Sequence, residues 1–339
     1  YFRIPTWYFQ TDIPSRYSYL QIKVPEMFNY TTEMFCSLPL DINSSDSYTQ
    51  NFIGGYSAKG TMRTFAMKNI PALRDEPYMT SAGDYLQRII FQLSSIKYPD
   101  YEKSVLNSWD KLISELMGNE YFGKQLNKHI SGAKDFIKVV SLLPDKKERM
   151  FKVYDYVRAN MEWDGNNTIW ADDNVNKAWE KRNGSTGEIN IMLINLLRDA
   201  GLDAYPLLVS TRTHGKINTS YPFIGQFNQT VAYIWLDGRY YILDATQKYL
   251  PYNLVPFDIL NTAGYLISPE LKGWVTSNAK YFEYKNRVSM MAAITPNGLL
   301  KGQAYVNSYD YSRTRRLKAW KNDKQDYKKE YLLQDKAAI

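Results

Sequence analysis

The spacing of hydrophobic positions changes along the chain, and each change marks a different kind of element. From Thr6 to about Leu93, apolar and polar residues alternate in segments such as Leu20-Gln21-Ile22-Lys23-Val24 and Tyr85 to Leu93, separated by clusters of Pro, Gly, Asn and Ser. This predicts a β-rich, sandwich-like domain over residues 1–98, incomplete at its N-terminus. After Tyr98-Pro99 the period lengthens: Val105, Leu106, Trp109, Leu112, Ile113, Leu116 and Met117 share one helical face. A second helix begins at Asp145, with Glu148 three residues on as a capping box, and carries Met150, Val153, Tyr154, Val157 and Met161 inward. A polar loop, Glu162 to Asn176, follows.

The stretch from Gly184 to Leu202 is a polar turn feeding an almost wholly apolar helix. Ile189, Ile191, Met192, Leu193, Ile194, Leu196 and Leu197 occupy too much of the circumference for a surface helix, so this helix is expected to be central and buried. Ser185 or Thr186 caps its start and Gly201 closes its end. Extended runs follow at Ala204–Thr211, Gln229–Leu236 and Arg239–Asp244, the last two joined by an Asp237-Gly238 hairpin turn. Strands return at Asn286–Ala293 and Leu299–Ser308 around Pro296-Asn297-Gly298. The fold class is therefore α+β, with a buried helix packed on an antiparallel sheet over residues 99–275, and a β hairpin unit with a basic tail, itself truncated, over 276–339.

The helix N-terminus at Gly184-Ser185-Thr186-Gly187-Glu188 presents free N–H groups and a partial positive charge, an arrangement that stabilises a thiolate or an oxyanion. Together with Gly201-Leu202-Asp203-Ala204-Tyr205-Pro206-Leu207-Leu208-Val209-Ser210-Thr211-Arg212, Phe227-Asn228-Gln229 and Leu243-Asp244-Ala245-Thr246, this segment resembles the bacterial transglutaminase-like domains. These share the papain-like arrangement of a nucleophile at a helix N-terminus facing a His and an Asp on adjacent strands. The resemblance covers residues 150–270, with looser likeness of the Trp7-Tyr8-Phe9-Gln10 and Ile13-Pro14 region to the β-rich domain preceding such cores, and of the later hairpin to the β domain that follows them. It implies an exported protein, periplasmic or at the cell surface.

Carried over residue by residue, the nucleophile position holds Thr186, the base position holds Gln229, and the orienting acid is Asp244. A cysteine supplies a thiolate readily because its free pKa is about 8.5 and a helix N-terminus lowers it further. Threonine supplies nothing comparable without a base, and a glutamine amide has no basic nitrogen near pH 7. The resemblance thus implies a degenerate triad and a pseudoenzyme, catalytically inactive, serving as a binding or scaffolding module. Ser185, Thr186, Asn228, Gln229 and Asp244 would line a polar groove for a peptide or glycan, with Trp179, Phe227 and Tyr249 as apolar walls. Two other readings stay open. One is an active hydrolase or acyltransferase with Thr186 or Ser185 as nucleophile and Glu188 or His214 as base. The other is a structural spacer in which Gln229 and Asp244 bond each other.

Composition narrows the remaining chemistry. The 339 residues, 44% hydrophobic and 23% charged, describe an ordinary folded chain, and no apolar run is long enough for a membrane span. The chain begins at Tyr1 without Met, and is expected to be a piece of something longer. The single Cys36 excludes an internal disulfide and lies outside the site helix. His129 and His214 have no ligand partner at zinc spacing, and Asp164, Asn166, Asp172 and Asp173 lack the pattern of a calcium loop, so no metal or other cofactor is expected. Of the net +7, nine Lys/Arg against four Asp/Glu place +5 between Arg313 and Ile339. These residues alternate in sign and match no nucleic-acid motif, which suits a solvated helix with surface contact to an anionic partner. The many Tyr and Trp residues of the first domain serve as sheet packing or as a platform for sugar rings.

Overall fold

In the computed structural model, the described residues are 4–51, 57–74, 76, 79–105, 108–220, 222–260, 262–268, 272–277 and 283–331. The chain divides into two compact units, Tyr1–Glu115 with Arg212–Gln226, and Leu116–Thr211 with Phe227–Ile339.

Unit 1 contains two antiparallel sheets. In one, strand β6 (Arg88–Lys97) lies between β1 (Trp7–Tyr8) and β3 (Phe28–Phe35), with β7 (Glu102–Ser104) also paired to β6. In the other, β5 (Ser57–Ile70) lies between β2 (Ser15–Pro25) and β4 (Ile42–Asn51). Phe65, Met67 and Ile70 of β5 pack with Ile89 and Phe91 of β6 and with Phe9, so alternate residues of the two sheets meet in one apolar layer, as the period of two predicts. The strand expected from Tyr85 begins only at Arg88, because Ala82–Asp84 form a 3-10 turn whose Gly83 carbonyl accepts a hydrogen bond from the Arg88 guanidinium. The first predicted helix, α1 (Trp109–Gly118), starts with Ser108 Oγ accepting from Lys111 N–H at 3.2 Å; Leu106, placed on its face by the sequence pattern, lies outside the described residues.

Unit 2 is built on a five-stranded antiparallel sheet. Its helical layer comprises α2 (Lys134–Val140), α3 (Lys146–Asn160), α4 (Val175–Lys181) and the central α5 (Thr186–Asp199). Short strands β8 (Glu162–Trp163) and β9 (Asn183–Gly184) pair in parallel just before α5, giving structure to the start of the segment expected to be a loop. The sheet order is β12 (Arg239–Leu243), β11 (Gln229–Leu236), β10 (Ala204–Val209), β13 (Ala263–Leu266) and β14 (Gly273–Thr276). Asp237 and Gly238 join β11 to β12 with φ of +52° and +75°, the left-handed pair that a two-residue hairpin turn requires. Every α5 residue from Thr186 to Leu197 is buried, so the helix is central, as its composition predicts. On the sheet's other side Leu207, Val209, Val231, Tyr233 and Ile242 pack with Leu250, Leu254, Val255, Ile259 and Tyr311.

The last elements are a long hairpin, β15 (Tyr284–Ile294) and β16 (Leu300–Tyr309), and two helices, α6 (Asp310–Asn322) and α7 (Lys324–Tyr331). The basic tail is thus helical through Tyr331; its remaining residues lie outside the described ones. No helix among the described residues is long and apolar enough to cross a membrane.

Candidate functional site

The site predicted around Thr186, Gln229 and Asp244 is formed by the start of α5, the start of β11, the end of β12 and the loop 164–173. Ser185 is the N-cap of α5, and the sequence Ser-x-x-Glu closes a reciprocal capping box. Ser185 Oγ accepts from Glu188 N–H at 3.3 Å, and Glu188 Oε2 accepts from Ser185 N–H at 2.8 Å and from its hydroxyl at 3.0 Å. The other carboxylate oxygen, Oε1, accepts from Asp173 N–H at 2.8 Å. Both Glu188 oxygens are therefore engaged in holding the helix start and the loop, which fits its electrostatic role at a helix N-terminus. At Asp145 and Glu148, where the sequence pattern predicts a box, Asp145 caps α3 by accepting from Lys147 N–H at 2.8 Å instead.

Thr186 is the first residue of α5, and its hydroxyl is fixed on both sides. Oγ1 donates to Thr168 O at 2.9 Å and accepts from Thr168 N–H at 2.9 Å. Its own N–H donates to Asn166 O at 3.1 Å. The same loop lies so close to the next residue that a Cβ on Gly187 would stand 2.1 Å from the Trp170 carbonyl oxygen. Glycine is what permits this approach. Thus the helix N-terminus that the sequence reading left open is covered by backbone.

Asp244 and Gln229 meet directly: Gln229 Nε2 donates to Asp244 Oδ2 at 2.8 Å. Asp244 Oδ1 accepts from Asn190 Nδ2 at 2.9 Å, Thr246 N–H at 3.0 Å and Thr246 Oγ1 at 2.7 Å. Asn190 also donates to Thr230 O at 2.9 Å and accepts from Ala245 N–H at 2.8 Å. Asn190 stands four residues after Thr186, one helical turn along the same face, and so joins α5 to both strands. From α3, Tyr154 Oη donates to Asp244 O at 3.1 Å; burial pushes this phenol well above its ordinary range, so it is held neutral. Thr186, Gln229 and Asp244 are 1%, 4% and 0% exposed. The Thr186 hydroxyl, both Asp244 oxygens and both polar atoms of the Asn190 side chain have partners, as burial demands.

Residues 137–245 match the family model of the transglutaminase-like superfamily, a span running from α2 to the residue after Asp244. They form a transglutaminase-like domain. A crystal structure of a candidate protease from Parabacteroides distasonis ATCC 8503 superposes with a TM-score of 0.53 and 14% identity, over 86% of this chain and 53% of that one. The likeness is one of fold, and this chain spans about half the length of that protein. A candidate cysteine protease from Cytophaga hutchinsonii gives a TM-score of 0.28 and 13% identity, over 90% of this chain and 89% of that one, too low a score to bear on the fold. No curated protein matches in sequence.

In unit 2 the other predicted binding residues have separate surroundings. Trp179 is buried on α4, tilted against Tyr156 with ring centroids 5.6 Å apart and covered by the Arg182 guanidinium at 3.9 Å. Phe227 is buried against Trp274 at 6.2 Å. Asn228 is half-buried and braces the end of β10, its side chain bonded to Thr211 N–H and Oγ1, both at 2.9 Å. Tyr249 is half-buried. Cys36 and His214 belong to unit 1. Asp173 pairs with Lys181, and Asp164 accepts from Asn166 N–H at 2.8 Å. No group of three or more metal-ligating side chains occurs among the described residues. Sequence reasoning missed Asn190, Thr168 and Tyr154. Asn190 had a signal, a lone polar residue one turn into an apolar helix; Thr168 acts chiefly through backbone atoms and had none.

Proposed function

We propose that this protein is a catalytically inactive member of the transglutaminase-like fold, in which the former catalytic centre has become an internal hydrogen-bonded brace and the domain serves as a scaffold. The supporting observation is the Thr186 hydroxyl, buried and bonded both ways to the Thr168 backbone. A nucleophile needs a free lone pair facing a substrate and a base to take its proton. This hydroxyl has neither the space nor, in Gln229, a basic partner. By comparison with other hydrolases, loss of nucleophile or base alone costs on the order of a million-fold in turnover.

Gln229 keeps one half of the old arrangement. Its amide N–H donates to Asp244 as the N–H of an imidazole would, so the carboxylate retains a donor while the basic nitrogen is gone. Because Ser185, Thr186, Gln229 and Asp244 are all engaged and buried, no peptide or glycan is assigned to them; Ser185 and Thr186 tie the start of α5 to the loop 164–173, and Gln229 and Asp244, bridged by Asn190, tie α5 to β11 and β12. The test is a transamidation and peptide-hydrolysis assay on the whole chain, with casein and a fluorescent primary amine. The expected result is no ammonia release and no covalent acyl intermediate by mass spectrometry. Turnover that disappears in Thr186→Ala would overturn the proposal.

A further inference from the structure

Unit 1 contains a cavity of about 580 Å³ between one face of the β1–β6–β3 sheet and the segment 212–226, all of it within that unit. The strand register sets its floor. Tyr8 and Phe35 are both Cα partners of Arg88, and Glu33 is the partner of Ile90, so these residues share the face opposite the core-forming Ile89 and Phe91. Asp84 enters from the 3-10 turn and Phe223 from the 212–226 segment. A volume of this size lies in the range of small-molecule sites, which run from about 300 to 1,000 Å³.

The charged heads around the cavity are fixed by bonds, which engage both oxygens of Asp84 and leave part of Glu33 and of Arg88 free. Glu33 Oε1 accepts from Asn218 Nδ2 at 2.5 Å, and Asp84 Oδ1 accepts from Lys216 N–H at 2.7 Å. The Arg88 guanidinium lies 4.3 Å over the Phe35 ring and donates through one nitrogen to Gly83 O. Glu33 Oε2 and the remaining guanidinium N–H groups have no protein partner among the described residues. Arg88 and Glu33, on one face and two positions apart in register, bond different groups, Arg88 to Gly83 O and Glu33 to Asn218. The wall therefore holds an acceptor and a planar donor side by side, each already oriented.

The charged residues of the lining balance in number, Glu33 and Asp84 against Arg88 and Lys216, with the Lys216 ammonium 5.4 Å over the neighbouring Tyr85 ring, and burial lowers the pKa of His214, which keeps that ring neutral at pH 7. A cavity without net charge gives no advantage to an anion or a cation. Fixed donors beside fixed acceptors suit groups that do both, and hydroxyls are the groups that do. Tyr8 and Phe223 are large, exposed aromatic rings at the rim of this polar cavity, where they offer flat apolar faces. A ligand with hydroxyl edges and an apolar C–H face is a pyranose ring. We propose that this cavity of unit 1 is a binding site for a neutral saccharide, with Glu33 and Arg88 bonding adjacent hydroxyls and Tyr8 and Phe223 stacking on the ring. The site is independent of the transglutaminase-like centre and stands whether or not that centre is inactive.

The test is saturation-transfer NMR followed by calorimetry on the whole chain, using maltotriose, cellotriose, mannotriose, chitotriose and a galactose trisaccharide, with dialanine and inorganic phosphate as charged comparisons. At least one saccharide is expected to bind with a Kd of about 1 mM or tighter, and Phe223→Ala and Glu33→Gln are each expected to weaken it about tenfold. Circular-dichroism melts check that both variants keep the fold, and Arg88→Lys serves as a third variant if either does not. The proposal is overturned if none of the saccharides binds at about 10 mM, if dialanine or phosphate is bound in their place, or if saccharide binding survives these substitutions unchanged.

Discussion

Two regions of unit 2 reverse the usual distribution of polar and apolar side chains, and they do so for opposite reasons. Around the start of α5, two carboxylates, two primary amides and two hydroxyls are sealed from water. Along β15 and β16, the register puts Val288 opposite Val306, Met290 opposite Ala304 and Ile294 opposite Leu300, one continuous apolar face that is open to water. Met290 is 62% exposed and Ile294 is 76% exposed, whereas Asp244 is 0% exposed. The polar atoms tolerate burial because each is bonded; the apolar face is exposed because a two-stranded ribbon has no second layer of its own. The hairpin is anchored at its base, where Ser312 Oγ and Ser308 Oγ donate to Asn286 Oδ1 and Tyr311 Oη donates to Val255 O at 2.6 Å. Residue polarity is thus a poor guide to stability here; what matters is whether each group has its partner.

This contrast orders the expected effects of substitution. Asp244→Ala is the most damaging, since it leaves the buried Gln229 amide, one of the two Asn190 amide N–H groups and the half-buried Thr246 N–H without an acceptor; about 3 to 5 kcal/mol is expected from urea unfolding. Thr186→Val removes one hydroxyl and leaves both Thr168 backbone groups unpaired, for about 1 to 3 kcal/mol in the same measurement. A loss near zero would mean that the loop over the helix N-terminus opens easily in solution. Tyr154→Phe removes a hydrogen bond to the Asp244 carbonyl and is expected to cost about 1 kcal/mol.

Tyr154 also carries a pH signature. Its phenol ionises at an ordinary 10.0 when the chain is unfolded and at a higher pH in the fold. Its contribution to stability is therefore fully present below pH 10.0 and is lost as pH rises above that value. The difference between the parent protein and Tyr154→Phe is expected to shrink at alkaline pH, which a denaturation series from neutral to alkaline pH would read. The smallest effect is expected at the hairpin: Met290→Lys or Ile294→Lys should alter stability by no more than about 0.5 kcal/mol. A loss comparable to that of Thr186→Val would show that the apolar face is covered in solution.

The sequence made the elements of this unit legible because its signals were local. The unbroken apolar run of α5, the Asp237-Gly238 turn and the alternation of β11 and β12 each follow from chemistry within a few residues. The direct bond between Gln229 and Asp244 was likewise foreseen as one outcome of their substitution pattern. What the sequence did not show was closure. Whether Thr186 meets a groove or a carbonyl depends on the course of the loop 164–173, and that course is set by backbone bonds from Thr168, Asn166 and Asp173, which any residue type could make. The cavity of unit 1 was hidden for a related reason. Its residues come from β1, β3, β6 and a segment more than a hundred residues later, and only the strand register brings them to one face.

The most direct test restores the reactive groups in place: Thr186→Cys with Gln229→His, made with Cys36→Ser to remove the half-buried native thiol. The rate of alkylation by iodoacetamide at neutral pH is then compared with that of the same protein in urea. If the centre is a closed brace, the new thiol reacts only as fast as the protein unfolds, and no acyl transfer from an activated ester is gained. Rapid alkylation of the folded protein, faster than that of an ordinary cysteine, would show an open helix N-terminus with a stabilised thiolate and would contradict the structural role assigned to Thr186.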